Sequence, residues 1–266
     1  GWCAPDSFAW LMDFLEGRSM SVRVGTSLST HMSLTAGVPQ GSHLGPLLFN
    51  LSINSLPSIP QSSDLTLFAD DSNMVCVSPP TVVPAAHTAS LQLDLDRCVN
   101  WSHKAEAVFN ANKCVHVPFC RPKSNPPDPR TVTMAGTLLT QPSSHRHLGI
   151  ILTPSLNLSP HIQHITSKFR GRVFLLNHMS NFLPFPAVNL LYKCYVRPLL
   201  EYAVPVWMFS VSATMSTTLD KLQATGARAY LNSKLKRRPD WTTSKEDLNV
   251  LSSWESLAWR RQILGL

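Results

Sequence analysis

The sequence predicts an α+β protein in which antiparallel strands and helices mix through residue 152 and helices dominate after it. Two observations carry that expectation. Around an Asp70-Asp71 pair, apolar residues alternate with strand period: Leu65, Leu67 and Ala69 before it, Val75 and Val77 after it. From Ser159 onward the apolar spacing becomes helical, with Ile162, Ile165, Phe169, Val173 and Leu176 forming one stripe.

Composition bounds the function classes. With 266 residues, 44% hydrophobic and 15% charged, the chain suffices for one large or two modest domains. No run of 18 apolar residues occurs, so no membrane span is expected, and no signal-peptide pattern is present. The six cysteines are scattered without a Cys-x-x-Cys and read as free thiols in a reducing compartment. Cys114-x-His116 with Cys120 matches no standard zinc spacing. The net charge of +7 is uneven: residues 1–100 hold 3 basic and 8 acidic side chains, residues 101–266 hold 20 and 8. An acidic part to hold cations and a basic part to meet phosphates suit a metal-dependent nucleic-acid enzyme, although solvated helices also produce such asymmetry.

Taken in order, Phe8 to Leu15 has a helical stripe (Phe8, Leu11, Met12, Leu15) with Gly17 as its stop. Residues 21–25 and 32–34 alternate like paired strands around a turn over Gly25 to Thr30. Three glycines four apart, Gly37, Gly41 and Gly45, then form a loop that a ligand can approach closely. Ser42 or Gly45 caps the next helix, Pro46 sits in its first turn, and Leu44, Leu47, Leu48 and Leu51 make one apolar face. Pro57 and Pro60 end it near Leu56. Asp-Asp-Ser-Asn, residues 70–73, is turn chemistry and makes the next stretch a hairpin with two carboxylates at its tip; taken alone, such a pair is most often just a solvated turn.

After a Pro-rich break, Ser78 to Pro84, a helix is expected from Ala85 to Trp101, with Leu91, Leu95, Cys98 and Trp101 on one face. Arg121 to Arg130 reads as an irregular loop. His147 to Leu152 reads as one short strand. Ser159-Pro160 caps and opens the first of three helices, with Lys168, Arg170 and Arg172 outside its apolar stripe and His161-x-x-His164 on a solvated face. The second helix spans Pro186 to Arg197 and is broken or kinked by Pro198; the third spans Thr217 to Leu231. A basic run, Lys234 to Arg238, and a last helix, Trp254 to Leu264, close the chain, with no repeat or coiled coil.

Gly37-Val38-Pro39-Gln40-Gly41-Ser42-His43-Leu44-Gly45-Pro46-Leu47-Leu48-Phe49, followed by Phe68-Ala69-Asp70-Asp71, resembles the reverse transcriptases of non-LTR, jockey-like retrotransposons. The similarity extends along nearly the whole chain. It includes a leader with Trp10, Leu15 and Arg18, an Asn110-to-Lys113 segment that with Val115, Val117 and Phe119 resembles the family's Asn-x-x-Lys-Thr strand, a His147-Leu148-Gly149 segment where that family has Tyr-Leu-Gly, and Leu200-Glu201-Tyr202 with Trp207. The resemblance implies an incomplete polymerase palm over 1–152, a mostly helical thumb over 153–235 and a helical extension over 236–266. It implies RNA-directed DNA polymerisation with RNA template, DNA primer, deoxynucleoside triphosphates and Mg²⁺, inside the cell in nucleus or cytoplasm and with no membrane.

Two cations about 4 Å apart activate the primer hydroxyl and the leaving pyrophosphate in such enzymes. By resemblance Asp70 is the principal metal ligand and Asp71 the secondary one. Gln40 and Gly41 line the template-primer, Phe68 packs beneath the primer end, and Lys113 lies near the triphosphate. Leu148 and Gly149 grip the primer, and Lys168, Arg170 and Arg172 meet the nucleic-acid backbone. The family's further palm aspartate and its fingers lie upstream of the position of Gly1, and Asp6 and Asp13 stand in the wrong context to replace that aspartate. Gly rather than Met at position 1 points to a fragment or a conceptual translation. The nucleotide site is therefore expected to be only partly present and the chain inactive alone. Two other functions fit the same residues: a non-enzymatic nucleic-acid binder that uses the basic part, and a decayed element.

Overall fold

The structure, a computed structural model, describes residues 5–77, 79, 84–119, 131–207 and 211–235, with single positions at 244, 247, 248, 252, 255, 260 and 263. The expected loop over Arg121 to Arg130, Cys3, Cys120 and most of the Pro-rich break, the basic run and the last helix lie outside the described residues. Helices and small antiparallel sheets divide between two compact units, Gly1–Cys114 with Asp128–Leu139, and Val115–Pro127 with Thr140–Leu266.

The first unit opens with α1, Pro5–Leu15. Its Phe8 and Trp10 are exposed, and Trp10 stacks on Phe14 with centroids 5.8 Å apart. Gly17, at φ 62°, ends the helix as expected. The strand pair that follows is a nested hairpin: β1 (Ser19–Met20) pairs with β4 (Met32–Ser33), and β2 (Arg23–Val24) pairs inside it with β3 (Ser27–Leu28). Its turn is thus tighter than Gly25 to Thr30, because Gly25 at φ 61° reverses the chain at once.

Helix α2, Gly45–Ile53, has Pro in its first turn. Its apolar face is not covered within the described residues, since Leu47 and Leu51 are exposed. A single 3₁₀ turn, Leu56–Ser58, leads into β5 (Asp64–Phe68), which pairs with β6 (Asp71–Val75). The reversal is at Ala69 and Asp70 rather than over Asp70 to Asn73. Asp71 already pairs with Phe68, so Asp71, Ser72 and Asn73 belong to the return strand.

Helix α3, Pro84–Lys104, serves two clusters. Cys98 and Trp101 pack with Leu56, Leu65, Leu67 and Met74 under the β5–β6 hairpin. Leu91, Leu95 and Val99 pack on Val132, Met134 and Leu139 around a small hairpin of β7 (Thr133–Met134) and β8 (Thr137–Leu138). The Cys98 thiol is pushed up to about 11 by burial, with Asp94 adding to it, so it is an inert core group. Residues 111–113 form a 3₁₀ turn rather than the expected strand; the Lys113 and Cys114 amides bond back to Asn110 and Ala111 carbonyls, which leaves no ladder to join.

In the second unit Val115 bridges Thr140. The expected single strand over His147 to Leu152 is a hairpin, β9 (His145–His147) against β10 (Ile150–Leu152), turning at Leu148 and Gly149. Helix α4, Ser159–Met179, buries the predicted stripe together with His161 and Thr166. Leu158, not Ser159, is its cap residue, and the Asn157 side chain accepts the Ser159 N–H at 2.9 Å. His161 is 2% exposed rather than solvated, because its ring packs edge-on to the buried Trp207 at 6.1 Å.

Helix α5 (Phe185–Leu191) runs into a π turn, Tyr192–Val196, before α6 (Pro198–Glu201). The turn closes with Arg197 N–H donating to Tyr192 O at 2.9 Å, five residues back. The helical path thus widens over Tyr192–Val196 and resumes at Pro198, where a break or kink was expected. Helix α7 (Val204–Trp207) and the long α8 (Ala213–Leu235) complete a core of Phe169, Val188, Tyr192, Val196, Leu200, Trp207, Leu219 and Leu231. Among the described residues no helix is long and apolar enough to cross a membrane.

Where α8 meets the π turn, Gly226 admits the Tyr192 ring: an added Cβ would stand 2.5 Å from Cε2 of a side chain that is 1% exposed. Gly226→Ala should therefore cost about 1–3 kcal/mol by overpacking, despite alanine's better helix propensity. Urea unfolding checks this, and an unchanged midpoint would show that the contact relaxes freely.

Candidate active site

The carboxylate hairpin is built from its register. Leu65 pairs with Met74 and Leu67 with Ser72, and on this face Leu65, Leu67 and Met74 pack into the core while Ser72, next to the turn, is exposed. Phe68 pairs with Asp71 on the opposite face, where both are exposed, Phe68 at 67%. Asp70 occupies the turn and is exposed as well. Among the described residues neither carboxylate has a hydrogen-bond or ion-pair partner. The turn requires φ 53° at Ala69, left-handed backbone that residues other than Gly, Asn and Asp seldom adopt.

The base of this hairpin is clamped from α3. The Asp94 carboxylate, fully buried, accepts the Gln61 and Ser62 amides, each at 2.9 Å, and pairs with Arg97 at 2.6 Å. Burial acts to raise its pKa, but those hydrogen bonds and Arg97 outweigh burial and hold it below the usual carboxylate value. Trp101 adds a second tie, donating from Nε1 to Ser55 Oγ at 2.9 Å.

The glycine loop is held by its own residues. Ser42 Oγ donates to Pro39 O at 2.8 Å and accepts the Gly45 N–H at 2.9 Å. Gly37 and Gly41 adopt φ 83° and 84°, while Gly45 packs so near Pro39 O that a Cβ would stand 2.9 Å away. Arg18 reaches the loop and donates to Gly37 O at 2.5 Å. Gln40 and Gly41 stay exposed, as does Lys113 on its 3₁₀ turn.

In the second unit Leu148 and Gly149 are the tip of the β9–β10 hairpin, with φ 44° and 86°. Lys168 and Arg170 are exposed on α4, and Arg170 borders a cleft of about 630 Å³ shared with Phe174 and Lys221. Arg172 is committed internally: it donates to Tyr195 O and lies 4.2 Å over the Tyr195 ring.

With that geometry in hand, comparison with known proteins is decisive. The family of reverse transcriptases (RNA-dependent DNA polymerases) matches residues 3–152, which include the glycine loop and both hairpin tips. The chain belongs to the reverse transcriptase family. It is similar to the RNA-directed DNA polymerase from mobile element jockey of Drosophila funebris, 32% identical over 211 residues, 77% of this chain and 23% of that protein. The probable RNA-directed DNA polymerases from transposons X-element and BS of Drosophila melanogaster are 31% and 28% identical, covering 75% and 93% of this chain and 22% and 28% of theirs. This reverse transcriptase is thus of the jockey-like, non-LTR kind, and it spans about a quarter of the length of the curated relatives it matches. No solved structure matches it.

Asp70 and Asp71 offer hard carboxylate oxygens with nothing else bound to them, which fits part of a Mg²⁺ donor set. Among the described residues no group of three His, Cys, Asp or Glu side chains converges to complete one. Sequence reasoning missed Asp94, Arg18 as a loop tether, and Tyr202, whose Oη donates to Leu148 O at 2.7 Å. A lone carboxylate between Leu91 and Cys98 on an apolar helix face was the available signal for Asp94.

Asp94→Ala should destabilise the first unit by about 2–3 kcal/mol, because two buried amides lose their acceptor. At neutral pH that contribution is fully present. It is lost only as pH falls below the ordinary value of 3.8 through the lowered one. Urea melts at pH 7 and hydrogen exchange over 61–75 measure it; wild-type exchange in the variant would refute the clamp.

The second unit carries a pH signature of the same sign, shifted into the histidine range. Burial, then His164 and Arg146, depress the pKa of His161; burial, then Lys168 and Arg146, depress that of His164. The folded state therefore prefers both rings neutral. Their contribution is intact above the ordinary 6.5 and is lost as pH falls below it toward the depressed values. The melting temperature should drop between pH 7 and pH 5, with a smaller drop in His161→Gln. A flat profile in wild type would contradict this.

Proposed function

We propose that this reverse transcriptase segment supplies the carboxylate hairpin and the helical grip of a retrotransposon polymerase: part of the palm over 1–152, the thumb over 153–235 and a helical extension over 236–266. The observation that carries it is the open face of β5–β6. That face holds Phe68 beside Asp71, with Asp70 at the turn, in a chain of this family. Bound Mg²⁺ would supply activation of the primer hydroxyl and stabilisation of the leaving pyrophosphate in nucleotidyl transfer. Asp70 and Asp71 would hold it, Phe68 would seat the primer end, and Gln40 and Gly41 would face the template-primer. Lys113 would neutralise triphosphate charge. Leu148 and Gly149 would contact the primer, while Lys168 and Arg170 would meet the backbone of an RNA–DNA hybrid and Arg172 stays held against Tyr195. The 266-residue chain by itself does not extend a primer on this reading, since its two free carboxylates are an incomplete donor set.

A second reading, a non-enzymatic nucleic-acid binder, is favoured by α4, which carries Lys168, Arg170 and Arg172 and no acidic residue. One experiment separates the two. This chain replaces the matching segment of the Drosophila funebris jockey polymerase, and template-dependent extension is measured. The polymerase reading expects extension by the chimera, none by the isolated chain, and a loss on the order of a hundredfold or more in Asp70→Asn. A chimera that binds hybrid in a salt-dependent way yet extends nothing would favour the binder.

A further inference from the structure

The Leu148–Gly149 tip is held in a conformation that leucine rarely adopts, φ 44° followed by φ 86°. The hairpin beneath it is only three residue pairs long, from Ile150↔His147 to Leu152↔His145. Tyr202, 54 residues away in sequence, reaches the tip twice. Its Oη donates to the Leu148 carbonyl at 2.7 Å, and its ring lies so close to Gly149 that a Cβ there would stand 3.0 Å from Cε1. Any side chain at 149 would meet both the ring and an unfavourable φ.

Tyr202 is itself fixed from below. Its carbonyl accepts the Nε1–H of Trp207 at 2.8 Å, and Trp207 is fully buried. Its amide donates to Pro198 O at 2.9 Å. The preceding Glu201 pairs with Arg197 at 3.3 Å and with Arg260. Yet the tyrosine is 57% exposed, so its ring is not placed there to fill a core. A rigid anchor ending in an exposed phenol directed at one backbone carbonyl is an arrangement for holding shape.

We propose that Tyr202 is a positioning residue for the β9–β10 tip: it sets the shape in which Leu148 and Gly149 present their backbone to the primer end. This rests on the reading of that tip as a primer contact. Segment 200–207 then has one logic: Leu200 and Trp207 root it in the core, Glu201 locks its direction, and Tyr202 carries that rigidity to the tip.

The test uses the purified 266-residue chain and two probes, a DNA primer with a recessed 3′ end on an RNA template and the same hybrid made blunt. Fluorescence anisotropy reads binding. Wild type is expected to prefer the recessed end. Tyr202→Phe keeps the ring and loses the hydroxyl, so it should weaken recessed-end binding about fivefold while blunt binding and melting temperature stay unchanged. Hydrogen exchange over 145–152 should rise in the same variant. Gly149→Ala should reproduce the loss by pressing on the ring. If wild type shows no preference, the primer reading of the tip fails and this inference with it. If wild type prefers the recessed end and Tyr202→Phe prefers it equally, Tyr202 does not position the tip.

Discussion

A two-residue hairpin closes only where the chain accepts positive φ, and both candidate contact tips of this reverse transcriptase obey that constraint. The right-handed twist of paired strands favours mirror-image turns, which drive central residues into the left-handed region. Ala69 takes φ 53° beside Asp70, and Leu148 takes φ 44° beside Gly149. Each tip thereby pushes its turn residues outward from a narrow stalk. A short hairpin standing alone is marginal in water, so each stalk must be tied to something rigid.

The two units solve that problem with the same device, a polar group on a rooted helical segment that captures backbone of the neighbouring loop. In the first unit Asp94 leaves an otherwise apolar face of α3 to accept the amides of Gln61 and Ser62, three and two residues ahead of β5. In the second unit Tyr202 donates to the Leu148 carbonyl from a stretch fixed by Trp207. In both cases a side chain satisfies backbone that no sheet neighbour satisfies. Glycines follow the same economy of space: Gly45 lets α2 begin against Pro39, and Gly226 lets α8 lie against Tyr192.

Much of this was readable in advance where period and turn chemistry speak unambiguously. The stripe from Ile162 to Leu176, the face of α3 and the stop at Gly17 appear as expected, because one-sided burial imposes its spacing on the sequence. Reading failed where two local preferences competed. His147 to Leu152 has the apolar content of one strand, but Leu148-Gly149 turns it, and only the pairing of Ile150 with His147 reveals that. His161 looked like a surface histidine because an i, i+3 pair carries no sign of which way it faces; packing on Trp207 decided. Leu47 and Leu51 have the spacing of a buried face and are exposed, which periodicity alone does not distinguish.

Family, mixed helix-and-strand character and an Asp70-Asp71 pair beside a chain reversal were all legible in the sequence, since glycine spacing, turn residues and apolar period are local properties written residue by residue. Tertiary structure alone decided how those residues are held: Asp94 under one hairpin, Arg18 on the glycine loop, Tyr202 on the other tip. These ties join positions 19 to 54 residues apart. A hydrogen bond to a distant carbonyl or amide leaves no periodic trace, because its partner is backbone, which every residue has.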